Sequence, residues 1–190
     1  MSKENGIAVC SAPVRRILEA AHFAAQQHAQ QKRKGSGGEP YLNHLIEVAE
    51  LIACSSDGLD TELVMAGLLH DTVEDTGVTL SELETRFGPD VASLVAEVTD
   101  DKSLPKETRK RLQVQNAPGI SPRAQTLKLA DKISNLRSLL ASPPVGWNLE
   151  RKRQYSDWAR QVVEGLSSPN LLLKQEFEQT YRMISHLKET

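Results

Sequence analysis

Apolar residues return every three or four positions through nearly every segment of this 190-residue chain, a period that a helix buries on one face and a strand cannot. The expected fold class is therefore all-α. Turn signals divide the pattern into elements. A first helix is expected from about Pro13 to Gln30, with Ile17, Ala21, Ala24 and Ala25 facing inward, and it runs into the basic, glycine-rich stretch QKRKGSGGEP. A second carries His44, Val48 and Ile52. A third, from about Thr61 to His70, is apolar on nearly all sides, which places it at the centre of a bundle. Thr79 with Glu82 has the spacing of a capping box, and a break is expected at Phe87-Gly88-Pro89. Pro89 and Pro122 both stand where helices begin. The second of these opens a long helix through Leu127, Ala130, Ile133, Ser134 and Leu140 that stops at Ser142-Pro143-Pro144. Two more helices, about Leu149 to Leu166 and Leu171 to Leu187, follow, with Trp147 and Trp158 expected to pack them. No repeat, low-complexity tail or linker interrupts the pattern, so residues 1–190 are expected to form one domain.

Composition narrows the function classes. A net charge of -2 argues against general nucleic-acid binding, which needs a strongly basic surface. No apolar run approaches the length of a membrane span, and the first residues lack the pattern of a secretion signal. A cytoplasmic protein is expected. Cys10 and Cys54 are too few for a disulfide framework and are not spaced as a zinc site, so a bound metal must be held by histidines and carboxylates.

Such residues gather in one place. His70 and Asp71 end the most apolar helix, where an ionisable pair is costly to bury without partners. A divalent metal is a natural partner, since imidazole and carboxylate together suit first-row ions. Alone, the dipeptide is weak. The segment continues as HDTVEDT, which puts Glu74 four residues after His70 and Asp75 four after Asp71, on the same faces if the helix continues. The alternative is an exposed acidic helix end, which sits badly behind LVMAGLLH. Asp131 interrupts an apolar stripe, with Asn135 one turn later, and His44 lies on an otherwise buried helix. Arg33 and Lys34 beside the glycine-rich loop, and Lys106, Arg109 and Lys110 farther on, are either phosphate-binding clusters or solvated charge runs. His22, His28 and His186 read as surface or semi-buried helix residues.

The order His44, His70-Asp71, Asp131 resembles the ligand set of the HD phosphohydrolases. The longer words RKGSGGEPYLNH, LLHDTVEDT, FGPDVASLVAEVTDDK and LKLADKISNLRSL are similar to the hydrolase domain of the Rel/SpoT stringent-response proteins, and most to the small alarmone hydrolases, from about residue 17 to Leu166. One departure is Leu45, where the family usually has proline. The resemblance implies a single-domain HD-type helical bundle and one divalent ion, usually Mn²⁺, held by His44, His70, Asp71 and Asp131. It implies that Glu74 and Asp75 are the catalytic carboxylates. Arg33, Lys34, Lys106 and Arg109 are then expected to bind phosphates, and Asn135 and Tyr155 to contact the ribose region. The implied reaction is hydrolysis of the 3′-pyrophosphate of ppGpp or pppGpp to GDP or GTP and pyrophosphate. Two other readings use the same metal set. One is a nucleotide phosphatase acting on NADPH or nucleoside monophosphates, which Glu74-Asp75 and the RKG loop disfavour. The other is a non-catalytic alarmone sensor, which the complete set of ligands and carboxylates disfavours.

Overall fold

The computed structural model describes residues 12–56 and 60–188, so Cys10 lies outside the described residues, while Cys54 is exposed and free. Every regular element among them is helical. In chain order these are α1 (Ala12–Gln27), α2 (Leu42–Ser55), α3 (Thr61–Leu69), α4 (Thr72–Asp75), α5 (Leu80–Phe87), α6 (Pro89–Val98), α7 (Lys106–Asn116), α8 (Pro122–Ala141), α9 (Leu149–Glu164) and α10 (Leu171–Ser185). The expected helix starts hold. Thr79 Oγ1 accepts from Glu82 N–H, and Ser121 caps α8 through Ala124 N–H. Glu82 does not complete the box; its carboxylate pairs with Arg86 one turn on. The structure differs from the sequence pattern in two places. α1 stops at Gln27, not Gln30, because His28 turns inward to bond Gln31 and the backbone tightens into a turn. α7 is a helix that the sequence pattern does not announce, because KETRKRLQVQN has no apolar stripe and none of its residues is buried.

The core is organised around α3. All residues from Leu63 to Leu69 are buried, and the helix packs against α1, α2, α6 and α8. Gly67 lets α2 come close: a Cβ there would lie 2.9 Å from Ile52 Cδ1 and 3.2 Å from the Ala49 Cα. Leu45, the departure from the family's proline, is fully buried and leaves the start of α2 regular, with Tyr41 before it in right-handed geometry.

One arginine ties the starts of three helices. Arg123, in the first turn of α8, bonds both carboxylate oxygens of Asp60 at 2.7 and 2.8 Å and those of Asp90 at 2.8 Å. Asp60 is itself the N-cap of α3, and Asp90 lies in the first turn of α6. From this clip α3 and α8 run side by side in the same direction. At about 1.5 Å per residue, His70 and Asp131 arrive at nearly the same height.

The basic loop after α1 is docked on the end of α8. Ser36 N–H bonds Pro143 O at 3.3 Å, and Gly37 N–H bonds Ser142 Oγ at 3.1 Å. Gly35 is required here: a Cβ would fall 2.4 Å from Ser142 O, closer than any side chain can approach. The loop thereby carries Arg33 and Lys34 over the face of the bundle where α3 ends.

Gly67→Ala tests the close approach of α2 and α3. Overpacking costs about 1–3 kcal/mol, against about 1 kcal/mol gained in helix propensity, so a lower melting temperature is expected. Gly77→Ala, where a Cβ meets nothing within 4 Å, should be nearly neutral. A rise in melting temperature for Gly67→Ala would show that the α2–α3 contact is loose.

Candidate metal centre and active-site cleft

The break between α3 and α4 creates the site. His70 continues the helical path, Asp71 opens to φ -96°, ψ -2°, and α4 makes one turn before the chain becomes extended at Thr76. The helix does not continue unbroken, yet the i, i+4 relation survives, because Asp75 N–H still bonds Asp71 O at 2.8 Å. Two adjacent ligand candidates are followed, one turn on, by two further carboxylates.

His44 comes from the first turn of α2 and Asp131 from the middle of α8. One donor atom from each of His44, His70 and Asp131 falls within 4.8 Å of the others. His44 Nε2 lies 3.4 Å from Asp131 Oδ1 and 3.5 Å from Asp71 Oδ2. His70 Nε2 lies 3.1 Å from Asp71 Oδ2 and 3.8 Å from Asp131 Oδ1. The structure thus gathers His44, His70 and Asp131 around one point, with Asp71 beside both histidines. Their chemistry fits a first-row divalent cation: two buried imidazole nitrogens and two carboxylates that are partly open to the cleft. His70 Nδ1 is fixed by Gly67 O at 2.9 Å, while its Nε2 is buried without a hydrogen bond of acceptable geometry. A buried nitrogen aimed at carboxylates and lacking a partner is what a ligand looks like without its ion.

The charges are tightly coupled. Burial opposes a charged His70, but Asp71 and Asp131 outweigh it and push its pKa up to about 9. Burial likewise opposes an ionised Asp71, yet His70 and His44 hold its carboxyl well below the usual range. Burial is overcome at Asp131 mainly by Lys132, whose Nζ lies 3.0 Å from Oδ2. That bond leaves Oδ1 toward the histidines. Asn135 Nδ2 donates to the same Oδ1 at 2.5 Å, and Tyr41 Oη donates to Asp71 Oδ2 at 2.5 Å.

Glu74 and Asp75 flank this cluster and are not an exposed acidic end. Glu74 Oε2 accepts from Asp100 N–H at 3.2 Å, and Oε1 lies 3.5 Å from Arg109 Nη1. Burial raises the Glu74 pKa, and the charges of Asp71 and Asp100 add to the shift against the opposing Asp100 N–H and Lys102. Asp75 pairs with Lys102 through Oδ1, and its Oδ2 accepts from Gln31 Nε2 at 2.6 Å. Gln31 Oε1 in turn meets His28 Nδ1 at 2.6 Å, and the His28 ring stacks on Tyr41 at 5.3 Å. His28 is therefore a buried support of this carboxylate.

A cleft opens over the cluster in two adjoining lobes of about 280 and 490 Å³. Lys34, Lys106, Arg109, Asn135 and Tyr155 line both, and Arg33 lines the larger. Every substrate-contact candidate thus faces one cavity. Asn135 is engaged on both sides of its amide, since Arg33 Nη1 donates to its Oδ1 at 3.3 Å. Tyr155 is tilted between Trp147 and Trp158, with ring centroids 5.7 and 5.3 Å away. The tryptophans do pack the C-terminal helices, but they also wall the cleft, and Trp158 Nε1 bonds Lys110 O at 3.1 Å to hold α7 against α9. Sequence reasoning missed Tyr41, Gln31, Lys102 and Lys132, although Tyr41, Lys102 and Lys132 stand inside the words that carry the family resemblance.

A family model described as HD domain matches residues 20–157. A human protein, guanosine-3′,5′-bis(diphosphate) 3′-pyrophosphohydrolase MESH1, is 50% identical over 166 residues, covering 87% of this chain and 93% of its own length. The Drosophila melanogaster protein of the same name is 45% identical over 170 residues, covering 90% and 95%. A solved structure, described as a metazoan ortholog of SpoT that hydrolyzes ppGpp and plays a role in starvation responses, superposes with a TM-score of 0.86 at 44% identity, covering 94% of this chain and 99% of that one. With the His-Asp candidates converging and the family model reaching from α1 into α9, the chain belongs to the HD domain family.

Proposed function

We propose that this chain hydrolyses the 3′-pyrophosphate of guanosine tetra- or pentaphosphate, releasing GDP or GTP and pyrophosphate. What carries the reading is the junction of a buried His-Asp cluster, a flanking carboxylate pair and a cation-lined cleft at the end of α3. The guanine nucleotide comes from the activity for which the human and fly relatives are named. His44, His70, Asp71 and Asp131 would hold one divalent ion, and Mn²⁺ suits this mixed nitrogen and oxygen set. When bound, such an ion polarises a phosphoryl oxygen and makes water a stronger nucleophile near neutral pH.

The chain's own residues supply the rest. Glu74, raised in pKa by its half-buried setting, is suited to accept a proton from the attacking water. Asp75, fixed between Gln31 and Lys102, orients that water. Arg33 and Lys34 on the docked loop and Lys106 and Arg109 on α7 approach the cleft from opposite sides and neutralise the phosphates. Asn135 lies between the metal cluster and Arg33, where a ribose hydroxyl can compete for its amide, and Tyr155 offers a ring face beside it. The described helices share one contiguous core from Ala20 to Ile184, in keeping with one catalytic domain.

The deciding experiment incubates Mn²⁺-loaded protein with ppGpp, GTP, NADPH and nucleoside monophosphates and identifies the products. GDP and pyrophosphate from ppGpp, with much slower turnover of the others, is the expected result; preferential release of inorganic phosphate from NADPH or a monophosphate would replace this reading. Glu74→Ala and Asp75→Ala should each keep Mn²⁺ bound and lower the rate about 100- to 10,000-fold, whereas His70→Ala and Asp71→Ala should lose metal and turnover together. Metal analysis and rates on the same preparations separate the two classes. Arg33→Ala and Lys34→Ala should weaken ppGpp binding in a salt-dependent way while single-turnover rates at saturation stay nearly unchanged. A fall in that rate at constant affinity would place the two cations at the reacting phosphorus instead.

A further inference from the structure

The two histidines of the metal centre are oriented by different means. His70 Nδ1 bonds Gly67 O, a carbonyl of its own helix, at 2.9 Å. A carbonyl can only accept, so Nδ1 carries a hydrogen, and in the neutral ring Nε2 keeps its lone pair for the cluster. His44 has no such neighbour. Its Nδ1 lies 2.8 Å from Ser134 Oγ, on the facing helix α8. A hydroxyl can donate or accept, so by itself this contact leaves the His44 tautomer undecided.

Glu47 removes the ambiguity. Ser134 Oγ lies 2.6 Å from Glu47 Oε2, and Glu47 Oε1 is paired with Arg137 Nη1 at 3.0 Å. The carboxylate in that ion pair offers acceptors alone, so the one hydroxyl proton of Ser134 is directed to it. The Ser134 oxygen must then accept from His44 Nδ1–H. The chain of bonds runs one way, from imidazole through hydroxyl to carboxylate, and Arg137 Nη2 anchors its outer end on Glu176 Oε1 at 2.9 Å. The inner links are sealed: the His44 side chain is 1% exposed and Ser134 is fully buried, so no bulk water can replace the hydroxyl.

We propose that Ser134 and Glu47 are positioning residues that fix His44 in its Nδ1–H tautomer and aim the Nε2 lone pair at the metal centre. The inference rests on the proposed role of His44 as a ligand, but the tautomer itself can be observed without metal. Removing the hydroxyl strands a buried N–H, and the ring can relieve it by moving its hydrogen to Nε2 or by turning. Either response withdraws the lone pair.

Two measurements on the full chain test this. In metal-free protein with the ring neutral, ¹⁵N NMR of the imidazole nitrogens should show His44 as Nδ1–H in the native chain and a mixed or Nε2–H population in Ser134→Ala. Calorimetric titration with Mn²⁺ should show affinity lowered about 10- to 100-fold in Ser134→Ala, and within a few-fold of native in Ser134→Thr, which restores a hydroxyl. Glu47→Ala, partly exposed and so tolerant of replacement, should shift affinity and tautomer in the same direction, because the Ser134 proton is then free to turn toward the ring. It also serves if Ser134→Ala fails to fold. Native Mn²⁺ affinity in both Ser134→Ala and Glu47→Ala, or an unchanged Nδ1–H assignment in both, overturns the proposal. If the native chain binds no Mn²⁺ while the tautomer still depends on Ser134, the metal reading fails and the positioning role stands.

Discussion

Two imidazoles and two carboxylates cannot share the interior of a helical bundle unless they neutralise one another or enclose a cation, and much of this structure meets that requirement. The cluster lies where α3, the most deeply buried helix, comes to its end, so the ligand atoms are buried while the cleft above remains open. His70 charged by Asp71 and Asp131, with Asp71 and Asp131 held ionised in return, is the arrangement these groups reach on their own. A divalent ion held by these residues would supply the positive charge that the shared proton supplies without it.

Distant features act through this point. The Arg123 clip sets the axial positions of α3 and α8, and Gly67 sets the spacing of α2 against α3. The clip therefore fixes His70 and Asp131 from about two or three turns away, and Gly67 acts within one turn of His70, since helices transmit position rigidly. The docking of Gly35 on Ser142 acts in the same way on the loop that presents Arg33 and Lys34.

The parts of the site that the sequence disclosed are those marked by local conflict. His70-Asp71 behind a run of aliphatic residues, and Asp131 within LKLADKISNL, break the pattern around them and could be found by period alone; the family words then joined them to His44. The helices with an apolar stripe were equally legible. α7 was not, because it has no buried face; it is held from outside, by the Trp158 bond to Lys110 O and by the Gln113 bond to Asp100. Tyr41, Gln31 and Ser134 stayed hidden for a different reason. Their roles depend on partners 30, 44 and 87 to 90 positions away, and a single hydroxyl or amide gives no period to read.

Burial also separates the cations around the site by the work they do. Lys132 is almost wholly buried, bonded to Asp131 and stacked over Trp158 at 4.6 Å; removing its charge strands a buried carboxylate, so it belongs to the architecture of the site. Lys102, about half exposed, is paired with Asp75 and lies 3.9 Å from Glu74. Pairs of that exposure are worth only about 0–1 kcal/mol, less than a phosphate group offers a lysine as a charge-assisted partner. Arg109 is intermediate, a quarter exposed, with its Nε buried and unbonded. On the proposed function, a polyphosphate entering the cleft would exchange the weak outer pairs and leave the buried ones intact. The His-Asp cluster would keep its shape while the cations around it change partners.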